Sequence, residues 1–151
     1  MVWVMTITAN FSSGWQMQQL KPIRAYAPHV SQSQVFSVCA TEATLLYGIA
    51  DNKLWGYDFV NNVEKELKPE GVAEDETITY VSDQYVGNST NSYLIIGTEK
   101  EGHYTLRFYK NFGGQPDGKP VFSMTGIGHV RGVRYTTNDS FQSFEQGALM
   151  D

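Results

Sequence analysis

Apolar and polar residues alternate along short stretches of this chain, and turn-forming residues separate the stretches. The first group of four stretches lies within residues 34–68 and reads QVFSVCA, TLLYGIA, KLWGYDF and NVEKEL. The second group lies within residues 76–125 and reads ETITYVS, SYLIIGT, YTLRFYKN and KPVFSMT. Period-two alternation predicts β-strands. A unit of four strands repeated over roughly 40–50 residues is typical of a β-propeller blade.

Turn signals inside the two units predict where the strands reverse. Asp51 and Asn52 lie between apolar runs and predict a tight hairpin that tolerates positive φ. A second turn is predicted at residues 100–102, and the segment NFGGQPDGKP holds two further signals, at 113–114 and 116–118. The continuous apolar run at 93–96 predicts a strand that is buried on both faces.

Strands are also predicted outside the two units. Residues 2–9 and 15–20 alternate and predict a hairpin whose loop spans 10–14, whereas residues 21–34 carry two prolines and predict a crossing loop. A strand at 130–135 begins where a further unit would start. No segment predicts an amphipathic helix.

We therefore predict an all-β fold, a partial β-propeller of about three four-stranded antiparallel blades, two complete and one composite or incomplete. The predicted segments are a blade part at 2–20, a blade at 34–68, a blade at 76–125, an extra strand at 129–136 and a polar tail at 137–151. Propellers typically close with four to eight blades. Three options follow: a fragment of a longer protein, an assembly of several copies, or a composite blade that joins the first two strands to the last.

The amino-acid composition argues against several classes of function. The chain has 151 residues, which fits one domain, and its net charge is −5 with eleven scattered Lys and Arg. No basic patch predicts nucleic-acid binding, and no apolar run approaches the length of a membrane span. The start, MVWVMTITA, has no basic region and alternates like a strand, so no export signal is predicted. The single cysteine, Cys39, excludes an intrachain disulfide and is expected to be a small buried side chain.

Several motifs resemble a known family. The motifs NKLWGYDF, ETITYV, GGQPDGKPV and GIGHVRGV resemble the C-terminal propeller-like region of the PKD-like family lipoproteins of gut Bacteroidota, over about residues 2–136. The resemblance implies a cell-envelope lipoprotein with PKD-like domains ahead of the propeller, associated with glycan or protein capture at the outer surface. It implies no catalytic residues. The lipoprotein signal and the PKD-like domains do not occur in this chain, which suggests a truncated reading frame or an isolated domain.

The sequence predicts no catalytic, cofactor-binding or metal-binding residue. Its histidines fall on separate loops or turns without the short spacing of zinc ligands: His29, His103 and His129. No GxSxG elbow marks a nucleophile. Glu64, Glu66 and the acidic residues at 74–76 are interpreted as solvent-facing charges. Asp51 and Asp58 are interpreted as turn residues, with Asp58 accepting backbone N–H bonds from the turn at 61–62.

Aromatic residues are the best candidates for ligand contact. They are Trp3, Trp15, Trp55, Tyr57, Tyr104 and Tyr109. Packing between blades is the favoured interpretation for Trp55 and Tyr57, while Trp15 and Tyr104 are predicted as possible ligand contacts. The predicted function is a non-enzymatic binding or scaffolding module, which presents the loops at 10–14, 87–91 and 115–119 to a glycan or an envelope protein. The alternatives are a fragment of a glycan-degrading enzyme and an inert truncated propeller that forms homo-oligomers.

Overall fold

The structure, a computed structural model, describes residues 3–4, 7–10, 14–17, 21–22, 26–86, 92–135 and 141–145. Within these residues the regular elements are β-strands and one short 3₁₀ helix at Val30–Gln32. The strands are β1 Trp3–Val4, β2 Ile7–Asn10, β3 Gly14–Met17, β4 Lys21–Pro22, β5 Phe36–Val38, β6 Leu45–Ala50, β7 Lys53–Asp58, β8 Val63–Leu67, β9 Thr77–Tyr85, β10 Ser92–Lys100, β11 His103–Phe112, β12 Gln115–Ile127, β13 Val130–Tyr135 and β14 Phe141–Glu145. The prediction of an all-β fold is confirmed.

The two predicted units form two separate four-stranded antiparallel sheets. The first sheet has the order β5-β6-β7-β8, and the second sheet has the order β12-β11-β10-β9. In each sheet every strand pairs antiparallel with its neighbour in sequence. One of the two sheets is strongly curled, as a half-barrel.

Tight turns with positive φ join β6 to β7, β10 to β11 and β11 to β12, and all three lie at predicted turn positions. Asp51 and Asn52 have φ of 54° and 55° and connect the paired residues Ala50 and Lys53. Two consecutive residues with positive φ match the right-handed twist of the flanking strands. The same backbone recurs between β10 and β11 and between β11 and β12, at Glu101 and Gly102 and at Gly113 and Gly114.

The two sheets share one apolar core. The first sheet and the segment that follows β5 contribute the buried side chains of Cys39, Tyr47, Leu54 and Leu67. The second sheet contributes those of Val81, Leu94, Ile96 and Tyr109. Because strand side chains alternate between faces, this core uses one face of each sheet and leaves the other faces to other partners.

The second sheet is buried on its other face as well. Ile95 points away from the shared core and packs with Leu106 and Phe108 against Val130 and Val133 of β13. Residues 94–96 are all fully buried, so the prediction of a strand buried on both faces is confirmed for them.

The outer face of the first sheet is covered by the segment ahead of β5. Ala27 and Val30 pack there on Tyr57, with Trp55 and Leu46 beside them. The described layers are therefore the segment at 26–33, the first sheet, the second sheet and β13.

The described strands near the two ends of the chain form separate two-stranded pairs. Among the described strands, β1 pairs with β4, β2 pairs with β3 and β13 pairs with β14, so the N-terminal strands and β13 share no sheet. The hairpin predicted around 10–14 is present, with Asn10 opposite Gly14. The segment predicted as a polar tail contains β14, which pairs with β13 from Tyr135 opposite Phe141 to Val130 opposite Glu145.

One predicted turn is part of a strand. Residues 116–118 lie inside β12, where the register shifts between Phe108, opposite Phe122, and Lys110, opposite Asp117. Gly118, with φ of 58°, accommodates this irregularity. The segment 115–119, predicted as an exposed connecting loop, is therefore the start of an outer strand.

Replacing Leu94 with alanine is expected to lower the free energy of unfolding by about 2–5 kcal/mol. The side chain is fully buried between the sheets, and its removal leaves a cavity that the surrounding structure fills only partly. Urea unfolding followed by tryptophan fluorescence measures the change. Val38→Ala is the matched control, since Val38 is 54% exposed and should change stability by less than about 0.5 kcal/mol. Equal losses in the two variants would contradict a shared core.

Candidate binding cleft between the sheets

A cleft of about 690 Å³ lies on the face of the first sheet that also forms the shared core. This volume lies within the usual range for small-ligand sites. Its lining comes from three strands of the first sheet, from the turns beside them and from the β11–β12 hairpin: Glu42, Thr44, Leu45, Tyr47, Gly56, Asp58, Val60, Asn61, Val63, Lys65, Leu67, Gly113, Gly114 and Gln115.

Gly56 opens the floor of the cleft. It lies on β7 between Tyr47 of β6 and Lys65 of β8, in direct register with both. Even a Cβ atom at this position would lie 3.3 Å from Leu67 Cδ1. The two-residue period points Gly56 to the same face as the core residue Leu54. A side chain at this position would therefore crowd Leu67, which lines the same cleft.

Gly114 allows the second sheet to close one wall of the cleft. Its φ is 87°, a conformation that favours glycine, and a side chain there would overlap Leu45 Cδ1. The backbone of the hairpin between β11 and β12 therefore lies directly against the side chain of Leu45 on β6. Gly113, next to it, also has positive φ (56°), but a Cβ atom there meets nothing within 4 Å.

Asp58 fixes the turn at the rim of the cleft, as predicted. Its Oδ1 accepts hydrogen bonds from the backbone N–H groups of Val60 (3.0 Å) and Asn61 (3.2 Å), and its Oδ2 accepts one from Asn61 Nδ2 (2.7 Å). These bonds from Asn61 and Val60 hold the pKa of Asp58 below its usual range. Next to it, Tyr57 donates to Asn62 Oδ1 at 2.8 Å. The carboxylate of Asp58 is therefore committed to its own turn.

A buried polar contact joins the two sheets at Tyr47, which lines the cleft. Asn111 of β11 is fully buried and donates from Nδ2 to the hydroxyl of Tyr47, at 2.8 Å, and lies 3.9 Å from Cys39 Sγ. Burial and the neighbouring thiol of Cys39 raise the pKa of Tyr47 well above its ordinary value. Cys39 itself is buried, as predicted. The hydroxyl of Tyr47 thus joins the two sheets instead of pointing into solvent.

A second polar contact joins the first strands of the two sheets. Asp83 of β9 accepts from the backbone N–H of Ala40 through Oδ2, at 2.6 Å. The backbone N–H of Asp83 donates to Ser37 Oγ of β5, at 2.9 Å. Both contacts fix how β5 lies against β9.

The interpretation of Glu64 as a solvent-facing charge is wrong. Its side chain is 6% exposed. It accepts from His29 Nδ1 at 2.5 Å and from the backbone N–H of Val30 at 3.0 Å. The ring of His29 stacks on Trp55, with centroids 3.6 Å apart and planes 4° from parallel. These contacts hold the segment at 26–33 on the first sheet.

The interpretation of Glu76 as a solvated loop charge is also wrong. Both of its oxygens accept from the guanidinium of Arg107, at 2.8 and 3.0 Å, and Oε1 also accepts from Thr98 Oγ1 at 2.6 Å. Oε2 accepts from the backbone N–H of Ala73 at 2.7 Å. Burial alone would raise the pKa of Glu76, but the bonds from Arg107, Thr98 and Ala73 outweigh it and lower the pKa. The linker between the sheets is held on β11 in this way.

Glu66 lies where an outer-strand charge was predicted. It is partly exposed and lies between Lys53 (3.4 Å) and Lys68 (3.6 Å). Neither Glu64 nor Glu76 could be distinguished from Glu66 by local pattern, since their partners lie 35 and 31 residues away in sequence.

The aromatic candidates are placed in packing roles where the structure describes them. Tyr104 is 3% exposed and lies over Gly126, where a Cβ atom would overlap its ring, so it offers little surface to a ligand. Tyr57 is buried, and Trp55 donates from Nε1 to the carbonyl of Ala50 at 3.1 Å. Tyr109 donates to the carbonyl of Glu70, and burial raises its pKa to about 12.

The other predicted contacts lie partly outside the described residues. Trp3 and Trp15 lie in β1 and β3, but their side chains are outside the described part, as are residues 11–13 and the whole predicted loop at 87–91. His103 contacts the carbonyl of Glu101, and His129 forms an ion pair with Glu99. In the part of the chain that the structure describes, no three or more His, Cys, Asp or Glu side chains form a group that could hold a metal ion.

No family model, curated protein or solved structure matches this chain. Nor does any helix among the described residues have the length and apolar character needed to cross a membrane.

Replacing Glu76 with glutamine is expected to lower stability at pH 7 by about 3 kcal/mol, because Arg107 then lacks its charged partner. It should also change the pH dependence. The folded pKa of Glu76 is lowered, so its contribution is present above the unfolded pKa, near 4.5, and is lost as the pH falls through the folded value. The native chain should therefore lose stability below about pH 4.5, and the variant should lose less. Urea unfolding at a series of pH values measures both effects.

The matched control is Glu74→Gln, which removes an exposed acid from the same linker. It should leave stability and pH profile close to those of the native chain. A Glu76→Gln variant with the native pH profile would show that the ion pair does not carry the acid sensitivity.

Replacing Gly114 with alanine is expected to destabilise the protein by about 1–3 kcal/mol more than replacing Gly113. Both changes force a side chain into positive φ, which costs about 1 kcal/mol. Only the change at Gly114 also meets Leu45 and strains the packing of the cleft wall. Equal urea midpoints for the two variants would mean that the hairpin does not approach β6 as closely as described.

Proposed function

We propose that this chain is a propeller-like, non-enzymatic binding module that holds a segment of a cell-envelope partner protein in the cleft between its sheets. The observation that carries the proposal is the cleft itself. Apolar side chains of the first sheet line it beside hydrogen-bonding groups such as Asn61, Lys65 and Gln115. A mostly apolar concave site with a few polar groups is the usual form of a binding pocket.

The arrangement of the strands supports a propeller-like architecture. The two described sheets are four-stranded meanders that pack face to face, as neighbouring blades do. The first strands of successive units, β5, β9 and β13, lie next to one another. Inner strands of neighbouring blades have this relation around a propeller axis. In this proposal β13 and β14 begin a third blade.

The chemistry of the cleft favours binding over hydrolysis. Two carboxylates, Glu42 and Asp58, line it, and a glycan-degrading enzyme would need such a pair with one member acting as a general acid. A general acid needs a raised pKa, whereas the hydrogen bonds of its own turn lower the pKa of Asp58. The other carboxylate, Glu42, is also engaged locally, since it accepts a hydrogen bond from Thr44 Oγ1 at 3.2 Å.

The lining favours a polypeptide segment as the ligand. Sugar-binding sites stack pyranose rings on exposed aromatic faces, and the one aromatic ring among the described lining residues, Tyr47, is 1% exposed. An extended peptide instead needs apolar contact and groups that pair with its backbone, which Leu45, Val63, Asn61 and Gln115 offer. Placement in the cell envelope, as part of a lipoprotein, rests on the resemblance of the motifs NKLWGYDF and GGQPDGKPV.

Reversing the charge of Lys65 should weaken ligand binding about tenfold or more, because a hydrogen bond from a charged donor contributes about 1.5–3 kcal/mol. Lys65 is exposed and lines the cleft, and the change would surround the ligand with three acids instead of two. Arrays of short peptides and of plant and host polysaccharides supply the probes, and isothermal titration calorimetry measures the affinity of each binder. The matched control is Lys68→Glu, an exposed lysine just beyond β8 and outside the cleft.

Peptide binding that Lys65→Glu weakens and Lys68→Glu preserves would support the proposal. Binding to polysaccharides alone would replace the peptide by a glycan and reject the proposed partner class. No binding to either array, or equal loss in both variants, would reject the cleft as a ligand site.

A further inference from the structure

The outer strand of the second sheet presents a backbone edge. β12 is the last strand of that sheet, and among the described strands it pairs only with β11. Several of its apolar side chains are exposed: Val121 by 45%, Phe122 by 41% and Ile127 by 74%. An exposed strand edge offers N–H and C=O groups that can pair with another strand.

The matching strand of the first sheet is protected by charges, whereas the second half of β12 is not. β8 is also an outer edge strand, and its sequence VEKEL has three charges in five residues. Charged side chains on an edge strand oppose pairing with other chains. Residues 121–127 of β12 read VFSMTGI, with no charge and no proline; we call them the uncharged segment. A short uncharged run of β-forming residues is the pattern that favours strand addition.

The uncharged segment is complementary to itself in the antiparallel direction. If Met124 lies on a two-fold axis, Val121 is opposite Ile127, Phe122 is opposite Gly126 and Ser123 is opposite Thr125 of the second copy. No pair places two charges opposite each other. Val121 and Ile127 pair two exposed apolar side chains, and Ser123 and Thr125 pair two small polar ones.

We propose that two copies of this chain associate through antiparallel pairing of the uncharged segment of β12. The second sheets then form one continuous sheet, with four strands from each copy and a two-fold axis at Met124. This contact is isologous, so it closes at a dimer. It uses the outer edge of the second sheet, whereas the proposed ligand cleft lies on the inner face of the first.

Two double variants of the full chain test the contact and its register. Ser123→Lys with Thr125→Lys places lysine opposite lysine across the two-fold axis, whereas Ser123→Lys with Thr125→Glu places lysine opposite glutamate. Both positions are exposed and lie outside the cleft lining. The first variant makes the net charge, −5 in the native chain, less negative, so a general increase in repulsion would not explain its dissociation.

Sedimentation equilibrium over a concentration series measures the dissociation constant. The native chain is expected to be a dimer, the lysine–lysine variant should dissociate about tenfold more readily or more, and the lysine–glutamate variant should return to native affinity or better. A native chain that stays monomeric throughout would overturn the proposal. So would a dimer that the lysine–lysine variant does not weaken, or one that the lysine–glutamate variant does not restore.

Hydrogen exchange of the native chain provides a readout that does not depend on the variants folding. Amides in the uncharged segment should exchange more slowly at high protein concentration than at low concentration. Amides of β8 should exchange at the same rate in both. Concentration-independent exchange in β12 of a dimeric sample would place the dimer contact elsewhere and reject the proposal.

Discussion

The apolar contact between the two sheets is the constraint on which the rest of the structure depends. Tyr47 and Leu54 on one side meet Leu94 and Ile96 on the other, and neither sheet could bury this surface alone. Because strand side chains alternate, a slip of one residue would turn the whole apolar set toward solvent. The same register that builds the core also sends Gly56 to this face. Gly56 therefore lies on the face that carries both the shared core and the cleft.

Polar contacts determine how the apolar faces meet. Apolar surfaces can slide over one another at little cost, whereas a buried polar group must find its partner. Asn111 reaches Tyr47, and Asp83 reaches the backbone of Ala40, so each contact fixes one sheet against the other. A buried ion pair such as Glu76 with Arg107 adds little net stability once desolvation is counted. Its effect here is to hold the linker on β11.

The structural features that were predicted correctly depend on residues close in sequence. The strands of both sheets and the turn at Asp51 follow from period-two alternation and from residues that accept positive φ, and the structure agrees with them. The burial of Glu64 and Glu76 depends on His29 and Arg107, which lie far away in sequence, so a local pattern shows only two acids in polar surroundings. Chain reversal at 116–118 was wrongly predicted because glycine and proline mark strand irregularities as well as turns. The cleft was not predicted from the sequence, because the glycine at position 56 gives no local indication of how residues from other strands pack around it.

The two sheets share a plan but differ in what they expose. The last strand of each unit, β8 in the first sheet and β12 in the second, lies at an edge of its sheet. β8 carries charges, and one of them, Lys65, lines the cleft, so the charged edge and the proposed ligand site share one strand. β12 supplies none of the described cleft lining beyond its first residue, Gln115, and its uncharged half is left to meet a second copy. A dimer through β12 would therefore carry two clefts on separate first sheets, and each copy could engage a partner without disturbing the contact between copies.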